Sequence, residues 1–283
     1  MSPIAAATSL KTGCIVFEDS SKSPKKSKAN FGAPILEVNN LSLKSLDPFG
    51  TSLKNITFNL RAGEVMGVAG VAGNGQDELM LALSGETLTS TNSIKLEDKY
   101  IGQSNPVQRR LLGLLTAPEE RLGHAAAPEM SLAENTLLSG FQRQKLGRRG
   151  FLNKPGAIAF AEKIVQQFDV RTPSVRNGAR SLSGGNLQKF VIGREILQNP
   201  RVFVVNQPTW GVDAAAAAFI RQALLELAEG GAGVLVISQD LDELMEISDS
   251  FMVLSEGEIS TPRPAKGMTT EAIGLMMGGT KVA

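Results

Sequence analysis

Ser181-Leu182-Ser183-Gly184-Gly185-Asn186-Leu187-Gln188-Lys189, a helical pattern, and then Arg201-Val202-Phe203-Val204-Val205-Asn206-Gln207-Pro208-Thr209-Trp210-Gly211-Val212-Asp213 make up the stretch that organises this chain. Ser183, Gly184 and Gly185 stand just before an apolar periodicity at Leu187, Phe190 and Val191, with Leu197 further along the same face. A small hydroxyl and two glycines there leave backbone N–H groups free at a helix N-terminus, which is a ready anion site. Val202 to Val205 form a continuous apolar run, as expected of a strand buried on both faces of a parallel sheet. Pro208 stops that strand.

A second strand-to-helix junction lies upstream, at Val65-Met66-Gly67-Val68-Ala69-Gly70-Val71-Ala72-Gly73-Asn74-Gly75-Gln76-Asp77. The phosphate-loop template is Gly, four residues, Gly, Lys, Ser/Thr. Gly70 and Gly75 have its spacing, but Gln76 stands where the lysine belongs and Asp77 where the magnesium-holding hydroxyl belongs. Glycines rather than side chains supply the backbone nest, so Gly70, Gly73, Asn74 and Gly75 stay candidates for phosphate binding. A dinucleotide fingerprint is excluded, because Gly70, Gly73 and Gly75 do not follow Gly-x-Gly-x-x-Gly.

The totals bound the remaining classes. A chain of 283 residues with 42% hydrophobic and 20% charged content has ample core for one large α/β domain or two small ones. A net charge of +1 gives no general pull on nucleic acid or membrane. One cysteine, Cys14, cannot form an internal disulfide, which suits a reducing compartment. No apolar run approaches a membrane span, and the start does not read as a signal peptide. Residues 1–33 read as a linker-like lead, with four lysines and four serines between Ser20 and Asn30.

Leu36 to Val38, Leu41 to Leu43 and Leu53 to Leu60 alternate with period two, as in half-buried antiparallel strands. Residues 103–180 carry helical patterns broken by prolines. His124, the only histidine, reads as a solvated loop residue, and Arg143, Lys145, Arg148 and Arg149 as a wet charged surface. Val234 to Ile237 read as another short buried strand, and Phe251 to Ile259 as strand, tight turn and strand. Little pattern is legible from residue 261 onward.

The segment 181–213 resembles the signature motif and Walker B strand of ATP-binding cassette (ABC) ATPases, and the resemblance covers about residues 34–262. It implies an α/β fold: a P-loop-type, mostly parallel core sheet, an antiparallel β subdomain, and an inserted helical subdomain at about 103–190. Residues 263–283 are left as a tail. The phrases Pro118-Glu119-Glu120-Arg121 and Asn206-Gln207-Pro208-Thr209-Trp210 resemble the second, degenerate halves of tandem importers of nucleosides and simple sugars. In that frame Glu119 takes the Q-loop position, Asn206 and Gln207 take the places of the Walker B Asp-Glu, and Gln239 takes the place of the switch histidine. Gly211 and Asp213 belong to the D-loop region. Phe49 and Phe58 are candidates for stacking on adenine, with core or turn packing the plainer role of each.

The resemblance further implies head-to-tail pairing, so that Ser183, Gly184, Gly185 and Asn186 serve the ATP held by a partner half with intact Walker motifs. Mg2+ is then expected only at that partner's site, and no metal at this chain's own. Gln76 removes a fixed charge, Asn206 cannot anchor magnesium as an aspartate does, Gln207 cannot act as a base, and Gln239 cannot switch charge. Two states stay open for the degenerate face: ATP held without turnover, or no nucleotide. Transmembrane permease subunits are the other expected partners and nucleic acid is not, which places the chain on the cytoplasmic face of the membrane. A regulatory pseudo-ATPase outside transport and a self-sufficient ATPase are the alternatives.

Overall fold

The computed structural model describes residues 31–148 and 150–278; the lysine-rich stretch 20–30 and most of the lead lie outside them. Strands β1 (Pro34–Leu43) and β2 (Leu53–Arg61) pair antiparallel, as their alternation predicts. The all-buried strand β3 (Val65–Ala69) then leads through a glycine-rich loop into α1 (Gln76–Ser84). Strands β4 (Ile94–Leu96) and β5 (Lys99–Tyr100) complete a four-stranded sheet in the order β2-β1-β4-β5. Helix α2 (Pro106–Leu112) carries an Asn105–Gln108 capping box and runs into β6 (Leu114–Ala117).

Helix α3 (Leu132–Gly140), the short pair β7 (Gly147–Arg148) and β8 (Phe151–Leu152), and helix α4 (Lys154–Gln167) follow. A 3-10 turn at Ala179–Ser181 precedes α5 (Gly184–Ile196), which leads to β9 (Val202–Asn206). The chain continues through α6 (Ala214–Glu229), β10 (Gly233–Ser238), α7 (Leu241–Ile247) and β11 (Ser250–Ser255). It ends with β12 (Glu258–Ile259), β13 (Arg263–Pro264) and α8 (Thr270–Met277).

The large sheet has the order β12-β11-β3-β10-β9-β6 with β13 beside β11, and its strands from β11 to β6 are all mutually parallel. Alternate residues of each parallel strand feed different cores. Phe203 and Val205 pack with Phe168, Phe190 and Leu224 on the helical side, and Val202 and Val204 with Leu36, Leu79 and Leu83 on the other. That is why these strands read as continuous apolar runs. The stretch 103–190 is not helical throughout, because β6 within it is an edge strand of the large sheet beside β9. The weakly patterned end contains α8, held by buried Ile273 against the helical-side core.

A buried ionic knot joins α2, α3 and α5. Glu195 is fully buried and ion-paired with Arg110 and, at 2.8 Å, with Arg194 Nε. Arg194 also donates to the carbonyls of Asn135 (3.1 Å) and Ala125 (2.8 Å). Burial alone would raise the Glu195 carboxyl, but the two guanidinium groups overcome it and hold it below the ordinary value of 4.5. Arg143 is no wet surface charge: it donates to the carbonyls of Arg110 and Gln198, each at 2.7 Å. Glu195→Gln strands the buried Arg194 and the half-buried Arg110, so it is expected to cost about 3–5 kcal/mol in urea unfolding at pH 7. Because the folded pKa is depressed, this stabilisation is present above the unfolded value and is lost as pH falls through the folded one. The difference between variant and wild type is therefore expected to shrink in acid.

Candidate functional site

In an open parallel sheet, the loops leaving the C-terminal ends of the strands share one edge. Here β3 delivers residues 70–77 to that edge, β6 delivers Glu119, β9 delivers Asn206 and Gln207, and β10 delivers Gln239. The structure thus brings together the positions that the sequence marks as degenerate.

The glycine-rich loop has the expected backbone. Gly73 and Gly75 adopt φ of +82° and +111°, which side chains rarely tolerate. A Cβ at Gly70 would stand 2.6 Å from the Leu254 carbonyl oxygen. The loop is braced from outside: the Glu256 N–H donates to Asn74 Oδ1 (2.7 Å) and the Gly257 N–H to the Asn74 carbonyl (3.0 Å). The interior is occupied by the chain itself. Gln76 Nε2 donates to the Val71 carbonyl (2.8 Å), and Gln76 Oε1 accepts the Asn74 N–H (3.0 Å).

The surroundings are acidic. A cavity of about 250 Å3 beside the loop is lined by Asp47, Asp77 and Glu78, with Lys44 the one cation among its lining residues. Partial desolvation and the neighbouring Glu78 charge push the Asp77 carboxyl up, with His124 opposing. Desolvation and Asp77 likewise raise Glu119, with Arg121 opposing. Phe49 is 94% exposed on the rim of this cavity, so turn packing is not its role, whereas Phe58 is buried in the core. His124 is not simply solvated, since its Nε2 lies 2.9 Å from Glu86 Oε2.

Asn206 and Gln207 are buried, and the Asn206 Nδ2 makes a long 3.5 Å contact with Asp77 Oδ1 while its Oδ1 has no partner. Gln207 sits in the left-handed region (φ +50°). Its Oε1 accepts from the Gln239 N–H at 3.4 Å and lies 3.4 Å from Ser238 Oγ. Glu243, which no sequence pattern singles out, is buried behind them and accepts from Ser238 Oγ at 2.8 Å. Burial raises its carboxyl, against hydrogen bonds from Ser238 and Thr209.

The other face is built differently. Ser183 is the exposed N-cap of α5, and its Oγ accepts from the Asn186 side chain (2.9 Å) while keeping its own O–H to donate. Asn186 Oδ1 in turn accepts the Arg171 N–H at 2.8 Å. Asp213 caps α6 by accepting the Ala216 N–H (2.9 Å), which holds its carboxyl low. Arg121 fastens the two segments: its guanidinium donates to the carbonyls of Gly184 (3.2 Å) and Trp210 (2.6 Å). Trp210 is 64% exposed beside them. Neither the Arg121 bridge nor the exposed indole could be found by spacing, since the bonded residues lie 63 and 89 positions apart.

The ABC transporter family model matches residues 53–210, and the chain belongs to that family. It is 34% identical over 256 residues to the guanosine import ATP-binding protein NupO of Bacillus subtilis, covering 90% of this chain and 50% of that protein. It is 36% identical over 248 residues to the nucleoside import ATP-binding protein NupA of Lactococcus lactis, covering 88% and 49%. A ribose import ATP-binding protein, RbsA 1 of Rubrobacter xylanophilus, is 35% identical over 253 residues, covering 89% and 49%. The chain thus spans about half the length of these curated relatives. The fold is similar to that of MJ1267, an ATP-binding cassette of an ABC transporter, in its ADP conformation. That match has a TM-score of 0.66 and 22% identity, covering 88% of this chain and 97% of that one. A dimeric post-hydrolysis cassette, MJ0796, gives 0.68 at 19% identity, covering 83% and 100%.

Because Asp77 and Glu119 are both raised in the fold, their ionisation opposes folding. Stability from their neutral forms is present below the unfolded values, 3.8 and 4.5, and is lost as pH rises through the folded ones. Glu119→Gln is therefore expected to match wild type in acid and to exceed it in urea unfolding near pH 7, by less when Asp77→Asn is already present.

Proposed function

We propose that this chain is a nucleotide-binding half of an ABC importer for nucleosides or simple sugars, with a catalytically inactive phosphate site of its own. Its Ser183–Asn186 face completes the ATP site of a partner cassette whose Walker motifs are intact. The observation that carries this reading is the contrast between two faces of one fold. At the sheet edge, the positions for magnesium and base are held by neutral, buried Asn206 and Gln207. At the start of α5, the capped helix end remains open to solvent and is fastened by Arg121.

Gln207 has no titratable proton site, and general-base help is worth typically about 10²–10⁴ in rate. Asn206 offers a neutral carboxamide where cassettes hold hydrated Mg2+ with a charge, so Mg2+ is assigned to the partner's site. Free N–H groups and a hydroxyl at a helix N-terminus suit the phosphates of a nucleotide presented from outside. The relatives named for guanosine, nucleoside and ribose import support the substrate class. No helix among the described residues is long and apolar enough to cross a membrane. In this reading permease subunits hold the chain at the cytoplasmic face.

Steady-state ATP turnover by the purified chain, with circular dichroism to verify folding, is expected to stay at background. Turnover that disappears on Gln207→Ala would contradict the proposal. In the assembled importer, Ser183→Ala removes a donor from the partner's site and is expected to lower kcat by about 10-fold or more. Arg121→Ala should lower it as well. Lysine should not restore it, because one ammonium cannot reproduce the planar two-carbonyl bridge.

A further inference from the structure

We infer that this cassette's own phosphate loop excludes ATP–Mg2+, so that one of the two nucleotide positions in the assembled pair is closed by the chain's own side chains. The inference deepens the proposal above and rests on it for the pairing, but an inactive site that still held ATP would satisfy that proposal and not this one.

Three features of the loop lead here. The first is occupancy. Gln76 lies across the loop with both ends of its carboxamide bonded to loop backbone, at Val71 and Asn74. The Asn74 N–H, one of the donors a phosphate would use, is thereby consumed. Gln76 is buried, and a Cβ at Gly70 would stand 2.5 Å from its Nε2, so the carboxamide fits closely against that glycine.

The second is the helix end. A helix N-terminus attracts phosphate through its partial positive charge. In α1 two carboxylates, Asp77 and Glu78, already lie in the first turn and take up that attraction. The third is the wall. Asp47, Asp77 and Glu78 line the adjacent cavity against one ammonium, Lys44, and Glu119 adds its charge next to Asp77. The Asp77 charge bears on Glu119 and the Glu78 charge on Asp77, with Arg121 and His124 opposing them in part, so a polyanion brought to this wall meets carboxylates first. Divalent magnesium does not rescue the fit, since Asn206 is neutral and among the described residues no group of three or more His, Cys, Asp or Glu side chains is arranged to hold a metal ion. A triphosphate would have to displace the Gln76 bonds and overcome the carboxylates at once.

The test is calorimetric titration of ATP in the presence of Mg2+ into the full chain and into a combined variant, Gln76→Lys with Asp77→Ser and Glu119→Gln. The variant supplies the missing cation and hydroxyl and removes the two facing carboxylates. Each charge-assisted contact regained is worth about ten- to a hundred-fold in affinity. The combined variant is expected to bind ATP at least 100-fold more tightly than wild type, at one site per chain. Wild-type binding within ten-fold of the folded variant overturns the inference, as does a folded variant that gains nothing. If the combined variant does not fold, Asp77→Ser alone decides, because Asp77 is surface-exposed. About a ten-fold gain supports closure by the carboxylates, and no gain overturns it.

Discussion

The parallel arrangement of β11, β3, β10, β9 and β6 imposes one constraint on everything else: each loop that follows a strand's C-terminal end must emerge at the same edge. Residues 70–77, Glu119, Asn206–Gln207 and Gln239 are far apart in sequence yet meet there. Chemistry at that edge is decided by what those few side chains supply. They supply amides and carboxylates, where phosphate and magnesium need a fixed cation, an anchoring carboxylate and a base. The loop keeps positive-φ glycines at Gly73 and Gly75, while amides and carboxylates surround it.

The second face depends on a different kind of support. Ser183, Gly184, Gly211 and Asp213 come from either side of β9 and are joined into one surface by helix caps and by Arg121. Arg121 follows Glu119 by two residues, so the segment that brings a carboxylate to the sheet edge also fastens the start of α5. What the chain offers is shape, N–H groups and one hydroxyl, presented to solvent by a rigid core.

Much of this was legible in the sequence, for local reasons. The Val202–Val205 and Val234–Ile237 runs identified buried parallel strands because burial on both faces suppresses alternation. The alternation in Leu53–Leu60 identified an antiparallel strand, and Gly70 and Gly75 marked the glycine-rich turn between β3 and α1. What stayed hidden depends on side-chain direction or on distant contacts. That Gln76 folds back into the loop rather than outward is a rotamer choice, invisible to spacing. The Glu195 knot, the Arg143 ties and the pairing of β6 with β9 join residues that no periodic pattern links. Arg143 looked like solvated charge because composition cannot show which guanidinium groups find buried carbonyls. Phe49 and Phe58 looked equivalent in sequence, and only the fold separates a rim residue from a core one.

The central claim is an asymmetry: a cassette that lends a face to a neighbour's nucleotide and holds none itself. The most direct measurement is nucleotide stoichiometry in the importer purified through a tag on this chain, saturated with ATP and Mg2+ under conditions that arrest hydrolysis. One ATP per cassette pair, lost on removal of the partner cassette, is the predicted result. Two per pair, with one retained by this chain alone, would contradict the account.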